Sequence, residues 1–331
     1  MCYGVNTMLS ALKFVGRAVA TKDFQPALTH FLIKDGRVLG YDGIIALSSP
    51  IDTDIHAAPK AVPFIKAIER CTSDTTAINL TETGRLTLRS GRFRAIIECI
   101  EDKEVLDYIK PEGEDVPTSD KLVEAMRVLI GYTSSDASRP WSNGILLRGY
   151  SAYATNNIIL AQYWLGEAMP DVNLPTTAVT ELIRIGTEPL RIQLGANSAT
   201  FHFPGDRWLR TQLLDPKWPT IDFMLDSVFG DTENPPCLLP FPDNFFEALD
   251  TIGPFVEKEG RILFREGMIT TSLLGEAGAS YEINGLPDFG AYNVKMLNLL
   301  REHVKAIDLT RHPKAAPFVG HNLRGVFLGM H

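Results

Sequence analysis

The chain has 331 residues and a net charge of −8, with 45% hydrophobic and 22% charged residues, which is typical of a globular protein. No apolar run approaches the roughly 20 residues that cross a bilayer, so no membrane span is predicted. The four cysteines form no CxxC pair, which argues against a zinc site and favours reduced thiols in the cytoplasm. Because the net charge is negative, a nucleic-acid site would depend on where basic residues are placed.

One pattern recurs three times along the chain, at a period of about 115 residues. Each copy has a strand-rich segment, followed by a helical segment, a short apolar alternation and a glycine turn. A period this long indicates tandem domains, because solenoid repeats have only about 20–50 residues. The predicted domains are 1–115, 116–235 and 236–331.

The first repeat begins with an amphipathic helix pattern over residues 9–19. A strand pattern follows, with Asp35-Gly36 at a strong hairpin position. A second helix is predicted from Lys60, and later strands are expected to turn at Thr83-Gly84 and Ser90-Gly91.

The second and third repeats have the same order of elements. Ser119-Asp120 and Asp243-Asn244 are typical N-caps of their first helices, and Pro254 is expected to end the latter helix. The corresponding hairpin turns are predicted at Arg148-Gly149 and Glu266-Gly267.

Each repeat therefore has the order helix, strands, helix, strands. Helices with one apolar face cover one side of an antiparallel sheet, which predicts an α+β fold of three tandem domains. Segments rich in proline, glycine and acidic residues are predicted linkers between the repeats, at 111–117 and 230–236.

Four short segments carry a resemblance to a known family: Trp141-Ser-Asn-Gly144, Ala154-Thr-Asn-Asn-Ile-Ile-Leu160, Lys217-Trp-Pro219 and Val326-Phe-Leu-Gly-Met-His331. They resemble aromatic-x-Asn-Gly, Ala-Thr-Asp-Gly-His-Arg-Leu, Phe-Pro-Asp and Val-Met-Pro-Met-Arg-Leu of the bacterial-type sliding clamp, the beta subunit of DNA polymerase III. The threefold pattern extends this resemblance to essentially the whole chain.

Two of these segments depart from the family pattern. Residues 156–159 replace Asp-Gly-His-Arg, and Gly329, Met330 and His331 replace the terminal proline, methionine and arginine. The departures indicate a divergent clamp, and a bacteriophage origin is one hypothesis.

The resemblance implies a non-catalytic processivity factor that surrounds duplex DNA as a head-to-tail homodimer. It implies no cofactor and no metal, a DNA polymerase and a clamp loader as protein partners, and a place at the nucleoid or in a phage host's cytoplasm. Helices would line the hole and contact phosphates, which position DNA without reading its sequence. The candidate DNA-binding residues are Lys13, Arg17, Lys22, Lys66, Arg70, Lys121, Arg127, Arg139, Arg184, Lys295, Arg301 and Lys305.

The resemblance also implies an apolar groove between the second and third repeats, in which a short peptide motif of the polymerase and loader docks. Such a groove binds aliphatic or aromatic anchors by burial. The matching positions are Thr155, Ile158, Leu160, Pro219, Phe223, Met224, Val326, Leu328 and Met330. For Leu160 and Val326, ordinary burial in the core is an equal alternative.

Other interpretations stay open. Basic residues spaced by four, such as Lys13 and Arg17 or Arg301 and Lys305, also occur on ordinary solvated helix faces, and Glu247 and Asp250 make one helix of the third repeat acidic. A structural or scaffold protein of tandem self-associating domains would show the same repeat. A hydrolase is less favoured, because the sequence contains no GxSxG, P-loop or HExxH motif.

Overall fold

The computed structural model describes residues 2–22, 25–72, 75–101, 109–215, 217–272 and 277–330. They form helices and antiparallel sheets, so the predicted α+β class is confirmed. The chain divides into two compact lobes. Lobe 1 comprises Met1–Thr118 and Ile185–Leu213, and lobe 2 comprises Ser119–Arg184 and Leu214–His331.

Short helices alternate with strands along the described ranges. The helices are α1 (Val5–Val15), α2 (Ala61–Glu69), α3 (Leu122–Leu129), α4 (Thr176–Ile185), α5 (Ile221–Phe229), α6 (Phe245–Ile252) and α7 (Val294–Asn298). The strands are β1 (Cys2–Gly4), β2 (Leu32–Lys34), β3 (Arg37–Tyr41), β4 (Ile45–Pro50), β5 (Ala58–Pro59), β6 (Thr75–Leu80), β7 (Leu86–Ser90), β8 (Phe93–Ile97), β9 (Cys99–Ile100), β10 (Glu114–Val116), β11 (Gly144–Thr155), β12 (Ile159–Pro175), β13 (Arg191–Leu194), β14 (Ser198–Phe203), β15 (Arg207–Gln212), β16 (Arg261–Arg265), β17 (Met268–Thr270), β18 (Ser280–Glu282), β19 (Phe289–Asn293), β20 (Val304–Ile307), β21 (Ala316–Gly320) and β22 (Leu323–Phe327).

Lobe 1 contains a seven-stranded sheet, β10-β13-β14-β15-β4-β3-β2, a four-stranded sheet, β1-β6-β7-β8, and the pair β5-β9. Helix α1 packs on β3 and β4 and fully buries Leu12 and Val15. Burying each such side chain stabilises the fold by about 1.5–3 kcal/mol. The amphipathic pattern of the first repeat is therefore confirmed as a helix that covers the sheet.

Lobe 2 contains a five-stranded sheet, β11-β12-β22-β21-β20, and a four-stranded sheet, β18-β17-β16-β19. Stacked or tilted aromatic rings connect these two sheets: the centroid of Phe264 lies 5.1 Å from that of Tyr292, which lies 5.4 Å from Phe327. Helix α3 packs on β11 and β12, and α6 packs on β17 and β18.

Two predicted hairpin turns are confirmed by their backbone angles. Asp35 and Gly36 have φ of 50° and 68°, and Glu266 and Gly267 have φ of 52° and 75°. Positive φ at both central residues is the geometry that matches the twist of a two-residue hairpin.

The predicted turn at Arg148-Gly149 is wrong. Strand β11 continues through both residues, and the pairing with β12 shifts register on either side of Gly149. Gly149 has a φ of 55° and lies at the irregular pairing, where glycine adopts the left-handed conformation without strain.

Three further expectations require correction. The predicted linker at 111–117 contains β10, which pairs with β13 and extends the seven-stranded sheet. Helix α7 ends at Asn298, so Arg301 and Lys305 do not share a helix face, and Lys305 lies on β20. The N-cap residue of α3 is Lys121 rather than the predicted Ser119 or Asp120. The hydroxyl of Ser119 nevertheless accepts a hydrogen bond from the N–H of Lys121 at 3.1 Å.

The sheets continue across the predicted domain boundaries. The seven-stranded sheet joins β2, β3 and β4 to strands that follow residue 115, and the five-stranded sheet joins β11 and β12 to strands that follow residue 235. The division into three domains stays a prediction. Within the described ranges, no helix has the length and apolar character of a membrane span.

Candidate functional site

An apolar groove of about 410 Å³ lies in lobe 2. Its walls come from α5, the turn between β11 and β12, and the end of β22. Eight of the nine positions predicted for a peptide groove line it: Thr155, Ile158, Leu160, Pro219, Phe223, Met224, Val326 and Leu328.

The ninth predicted position, Met330, has a different place. Its N–H donates to the carbonyl oxygen of Ala291 at 2.8 Å, and its carbonyl oxygen lies 2.9 Å from Nε2 of His312. These contacts fix the end of the chain against β19 and the loop before β21.

The turn between β11 and β12 owes its shape to two asparagines. Oδ1 of Asn156 accepts hydrogen bonds from the N–H groups of Ile158 and Ile159 at 3.1 and 2.8 Å. Asn157 has a φ of 71°, a left-handed conformation that asparagine adopts more readily than most residues. The departure from the family's Asp-Gly-His-Arg segment therefore still forms a tight turn.

A buried cluster supports the groove. It contains Leu160 and Val326, which are only 6% and 4% exposed, together with Trp218 and Leu225. The rings of Trp218 and Trp141 meet edge to face with centroids 5.2 Å apart. Leu160 and Val326 are thus core residues that also contribute to the groove surface.

Helix α5 presents unusually exposed apolar side chains. Phe223 is 73% exposed and Met224 is 48% exposed. Arg324 on β22 fixes this helix by donating to Oδ1 of Asp226 at 2.9 Å, and its guanidinium lies 5.5 Å from the ring centroid of Phe229. Exposed apolar side chains beside a groove are typical of an interaction surface.

The groove also contains residues that the sequence did not assign to it. Arg139, which we predicted to contact DNA, lines the groove and donates to Oδ1 of Asn157 at 2.7 Å. Trp141, Ile159 and Ala315 line it as well. For Trp141 and Ile159 the available signal was their position inside the two matched segments.

Four of the predicted DNA-binding residues form ion pairs with neighbouring carboxylates. The N–O distances are 2.8 Å for Lys13–Glu69, 2.6 Å for Arg127–Glu124, 3.0 Å for Arg184–Glu181 and 2.7 Å for Arg301–Asp250. Hydrogen bonding and the charge of Lys13 lower the pKa of Glu69 below its ordinary value. Ion pairs between exposed groups, such as Arg127–Glu124 and Arg301–Asp250, contribute little stability, so a phosphate can compete for these cations. Glu181 is buried, so drawing Arg184 away from it would cost more, because a buried carboxylate then loses its charge partner.

The remaining predicted cations have varied positions. Arg17 follows α1, and Lys66 and Arg70 lie on α2 and at its C-cap, all three exposed. Lys121 before α3 is half-buried. Lys22, Lys295 and Lys305 are exposed.

Helix α6 exposes carboxylates. Glu247 and Asp250 lie on its solvent side, and Arg301 partly offsets them through its contact with Asp250. The helix faces are therefore unequal in charge, as the sequence predicts.

No group of three or more metal-ligating side chains occurs within the described part of the chain. The carboxylate of Asp308 accepts hydrogen bonds from Thr310 Oγ1 at 2.6 Å, the N–H of Cys237 at 3.0 Å and Arg311 Nε at 3.1 Å. Asp308 therefore links the segment that contains Cys237 to the turn at residues 310–311.

No protein-family model matches the sequence, and no curated protein sequence matches it. Solved structures do match. A DNA polymerase III subunit beta sliding clamp from Bartonella birtlesii, bound to griselimycin, has a TM-score of 0.83 at 16% identity, covering 100% of this chain and 99% of that one. A DNA polymerase sliding clamp from Pseudomonas aeruginosa has a TM-score of 0.80 at 18% identity, covering 100% and 98%.

The DNA polymerase III beta chain of Streptococcus pneumoniae also matches, with a TM-score of 0.80 at 16% identity and 100% coverage of both chains. Similarity therefore extends over all the elements described above rather than over one lobe. The chain has the fold of the bacterial DNA polymerase III beta sliding clamps.

Proposed function

We propose that the chain is a DNA sliding clamp: a non-catalytic processivity factor that surrounds duplex DNA in the cytoplasm and tethers a replicative polymerase. The observation that carries this proposal is the likeness to bacterial sliding clamps over 100% of the chain, at TM-scores up to 0.83. Because one fold can serve several functions, the residues of this chain must supply the rest of the argument.

The basic residues of the helices support contact with DNA. Arg17, Lys66 and Arg70 are exposed near the ends of α1 and α2. A cation that meets a phosphate releases a condensed counterion, which favours binding without regard to base sequence. Such contacts suit a protein that must slide.

Two sheet edges support a head-to-tail dimer. Strand β8 ends one sheet of lobe 1 and strand β18 ends one sheet of lobe 2. Arg94 on β8 and Arg92 just before it are exposed, and β18 exposes Glu282, so basic residues of one edge can face an acidic residue of the other. Ile96 on β8 is 56% exposed and would gain burial on pairing.

Pairing β8 of one copy with β18 of another would remove both open edges. The two surfaces differ, so the contact is head to tail, and such contacts generate a ring when the rotation closes. We infer that two copies close the ring through two such contacts.

The groove supports the binding of a partner peptide. Its lining is largely apolar, and Phe223 and Met224 offer exposed contact area. A peptide with aliphatic or aromatic anchors gains affinity there by burial of a few side chains. The polymerase and the clamp loader are the proposed owners of such peptides.

Topological retention is the decisive test. The protein is loaded with a bacterial clamp loader and ATP onto nicked circular plasmid, isolated by gel filtration, and then treated with an enzyme that linearises half of the sample. We expect retention on the circle and loss from the linear DNA. Equal retention on both forms, or a protein that stays monomeric at 36.6 kDa at all concentrations, would count against the proposal.

A charge exchange tests the dimer contact separately. Replacing Arg92 and Arg94 by Glu, or Glu282 by Lys, should weaken dimerisation measured by light scattering, because like charges then meet. The chain with all three changes should dimerise again. Lys258→Glu, an exposed change outside β8 and β18, is the matched control.

A further inference from the structure

Two aromatic side chains are stacked on each other at the surface of lobe 2. The ring centroids of Tyr150 on β11 and Trp164 on β12 lie 5.5 Å apart, and the ring planes differ by 22°. Tyr150 is 53% exposed and Trp164 is 49% exposed. The neighbours Tyr163 and Leu165 are buried, so the indole lies on the opposite, outer face of the strand. Burying this flat apolar surface against a ligand would be favourable.

Two hydrogen-bond donors meet beside this aromatic pair. Gly166 has no side chain, and a Cβ at its position would lie 3.6 Å from Nζ of Lys121 and 3.9 Å from Nε1 of Trp164. Neither nitrogen forms a hydrogen bond or an ion pair with another residue that the structure describes. The space beside Gly166 can therefore accept a small hydrogen-bond acceptor, and the ammonium favours one that is negatively charged.

The ammonium has a defined place in the lobe. The hydroxyl of Ser119 donates to the carbonyl oxygen of Leu165 at 2.8 Å and accepts from the N–H of Lys121 at 3.1 Å. These two bonds join the start of α3 to β12, which keeps Lys121 beside Gly166. Lys121 is half-buried, so it loses less side-chain entropy on binding a ligand than a fully exposed lysine does.

A stacking surface next to an anion site matches the chemistry of a nucleotide. A nucleotide combines an aromatic base with a phosphate, and bases stack on aromatic side chains regardless of sequence. Bases within a duplex are already stacked on one another, so an unpaired base is required. Lys121 also precedes α3, one of the helices with predicted DNA-binding residues, so a strand that the ring holds would be close by.

We propose that Tyr150, Trp164 and Lys121 form a subsite for single-stranded DNA. One base stacks on the aromatic pair, and an adjacent phosphate occupies the space beside Gly166. This inference rests on the proposed function, which brings DNA to the ring, and it adds a single-strand site to the duplex contacts of the helices. The subsite is separate from the peptide groove, whose lining includes none of these three residues.

Two carboxylates limit the affinity of this subsite. Asp120 and Glu167 are exposed and are adjacent in sequence to Lys121 and Gly166. They repel a phosphate, although salt screens the repulsion. A free oligonucleotide should therefore bind weakly, with a Kd of about 0.1–1 mM. A loaded ring compensates for this, because a tethered strand reaches an effective concentration in the millimolar range.

The test uses the tryptophan fluorescence of the protein. Trp208 and Trp218 are buried, and Trp141 packs against Trp218. Trp164 is the most exposed of the four tryptophans, so a base that stacks on it should quench its emission. We expect an unlabelled oligothymidylate of about eight nucleotides to quench part of the emission with the weak Kd given above. An abasic oligomer of the same length and a blunt duplex should not quench it.

Variants assign the quenching to the subsite. Tyr150→Ala and Lys121→Gln should each raise the Kd about fivefold or more, and Lys121→Gln should also reduce the salt dependence by about 0.7 counterion. Glu167→Gln should lower the Kd, because it removes a repelling charge. Phe255→Ala is the matched control: it removes another aromatic ring of lobe 2, 63% exposed, and should leave the Kd unchanged.

The outcomes separate this inference from the proposed function. It is overturned if the wild type shows no quenching, if the duplex or the abasic oligomer quenches equally, or if Trp164→Phe retains the quenching. A Kd that neither Tyr150→Ala nor Lys121→Gln changes also overturns it, and would leave the aromatic pair as a surface for a protein partner. Retention on nicked circular plasmid tests the clamp itself, and Tyr150→Ala should leave that retention unchanged.

Discussion

Arg324 offers a direct test of how the groove is built. Its guanidinium joins β22 to β12 through Oε1 of Gln162 at 2.5 Å and to α5 through Oδ1 of Asp226 at 2.9 Å. It also lies 5.5 Å from the ring centroid of Phe229. We predict that Arg324→Ala loosens α5, the wall that carries Phe223 and Met224.

The expected loss of stability is modest. The side chains of Arg324 and Asp226 are 36% and 65% exposed, so their ion pair contributes about 0.2–1 kcal/mol after solvent screening. The contact with Phe229 adds about 0.5–1 kcal/mol. Arg324→Ala should therefore lower the free energy of unfolding by about 1–2 kcal/mol, measured by urea denaturation followed by circular dichroism.

Binding should fall more than stability alone explains. The same variant should release a peptide with apolar anchors faster, because a mobile α5 no longer presents an ordered wall. Asp226→Asn should give part of the effect, and a double-mutant cycle should show that the two changes are not additive. If Arg324→Ala binds the peptide like the wild type, the position of α5 does not depend on this contact.

Three other predictions follow from single features. Gly113→Ala should lower the free energy of unfolding by about 2–4 kcal/mol. A Cβ at this position would lie 1.7 Å from the carbonyl oxygen of Leu194, and the φ of 93° is unfavourable for alanine. An unchanged midpoint in urea denaturation would contradict this prediction. Glu247→Lys on α6 should lengthen retention on circular plasmid and steepen its salt dependence, by about one counterion per added phosphate contact; unchanged retention would mean that α6 does not face DNA. Burial raises the pKa of Tyr132 and Tyr292. Their contribution to stability is present below the unfolded pKa of about 10 and is lost as pH rises towards the folded pKa, so the double Phe variant should lose less stability than wild type between pH 9 and 11.

A turn could be predicted from sequence only where the two turn residues alone determine the backbone conformation. Asp35-Gly36 and Glu266-Gly267 meet the φ requirement of a two-residue hairpin. Arg148-Gly149 presents the same local signal, yet the pairing of β11 with β12 converts it into a bulge. The difference depends on a partner strand distant in sequence, which a local pattern does not contain.

A similar limit applies to the second helix of the third repeat. Its apolar spacing continues beyond Asn298, and Leu300 and Val304 are indeed buried. Leu300 is buried in the turn that follows α7, and Val304 is buried at the start of β20, which pairs with β21. Periodicity alone does not distinguish these two ways of burying a residue.

The candidate groove was more predictable than the basic surface. Short matched segments contain most of its lining, so eight of nine positions come together. Arg139 was predicted to bind DNA because its positive charge can be read from the sequence. Its hydrogen bond to Asn157 could not be predicted, because the two residues are 18 positions apart and come together only in the folded lobe. Which cations face DNA stays a prediction, since ion pairs such as Lys13–Glu69 also depend on packing between helices.

The strand order of lobe 1 has a consequence for synthesis on the ribosome. Strand β4 pairs with β15, and Ala46 lies opposite Arg210. The seven-stranded sheet can therefore be completed only after more than half of the 331 residues have been synthesised. Pairings between such distant segments slow folding, because the intervening loop must close first. During that interval β2, β3 and β4 form a nascent sheet with an open edge. A chaperone that shields this edge on the ribosome is expected to raise the yield of folded protein more than a chaperone that acts after the chain is released.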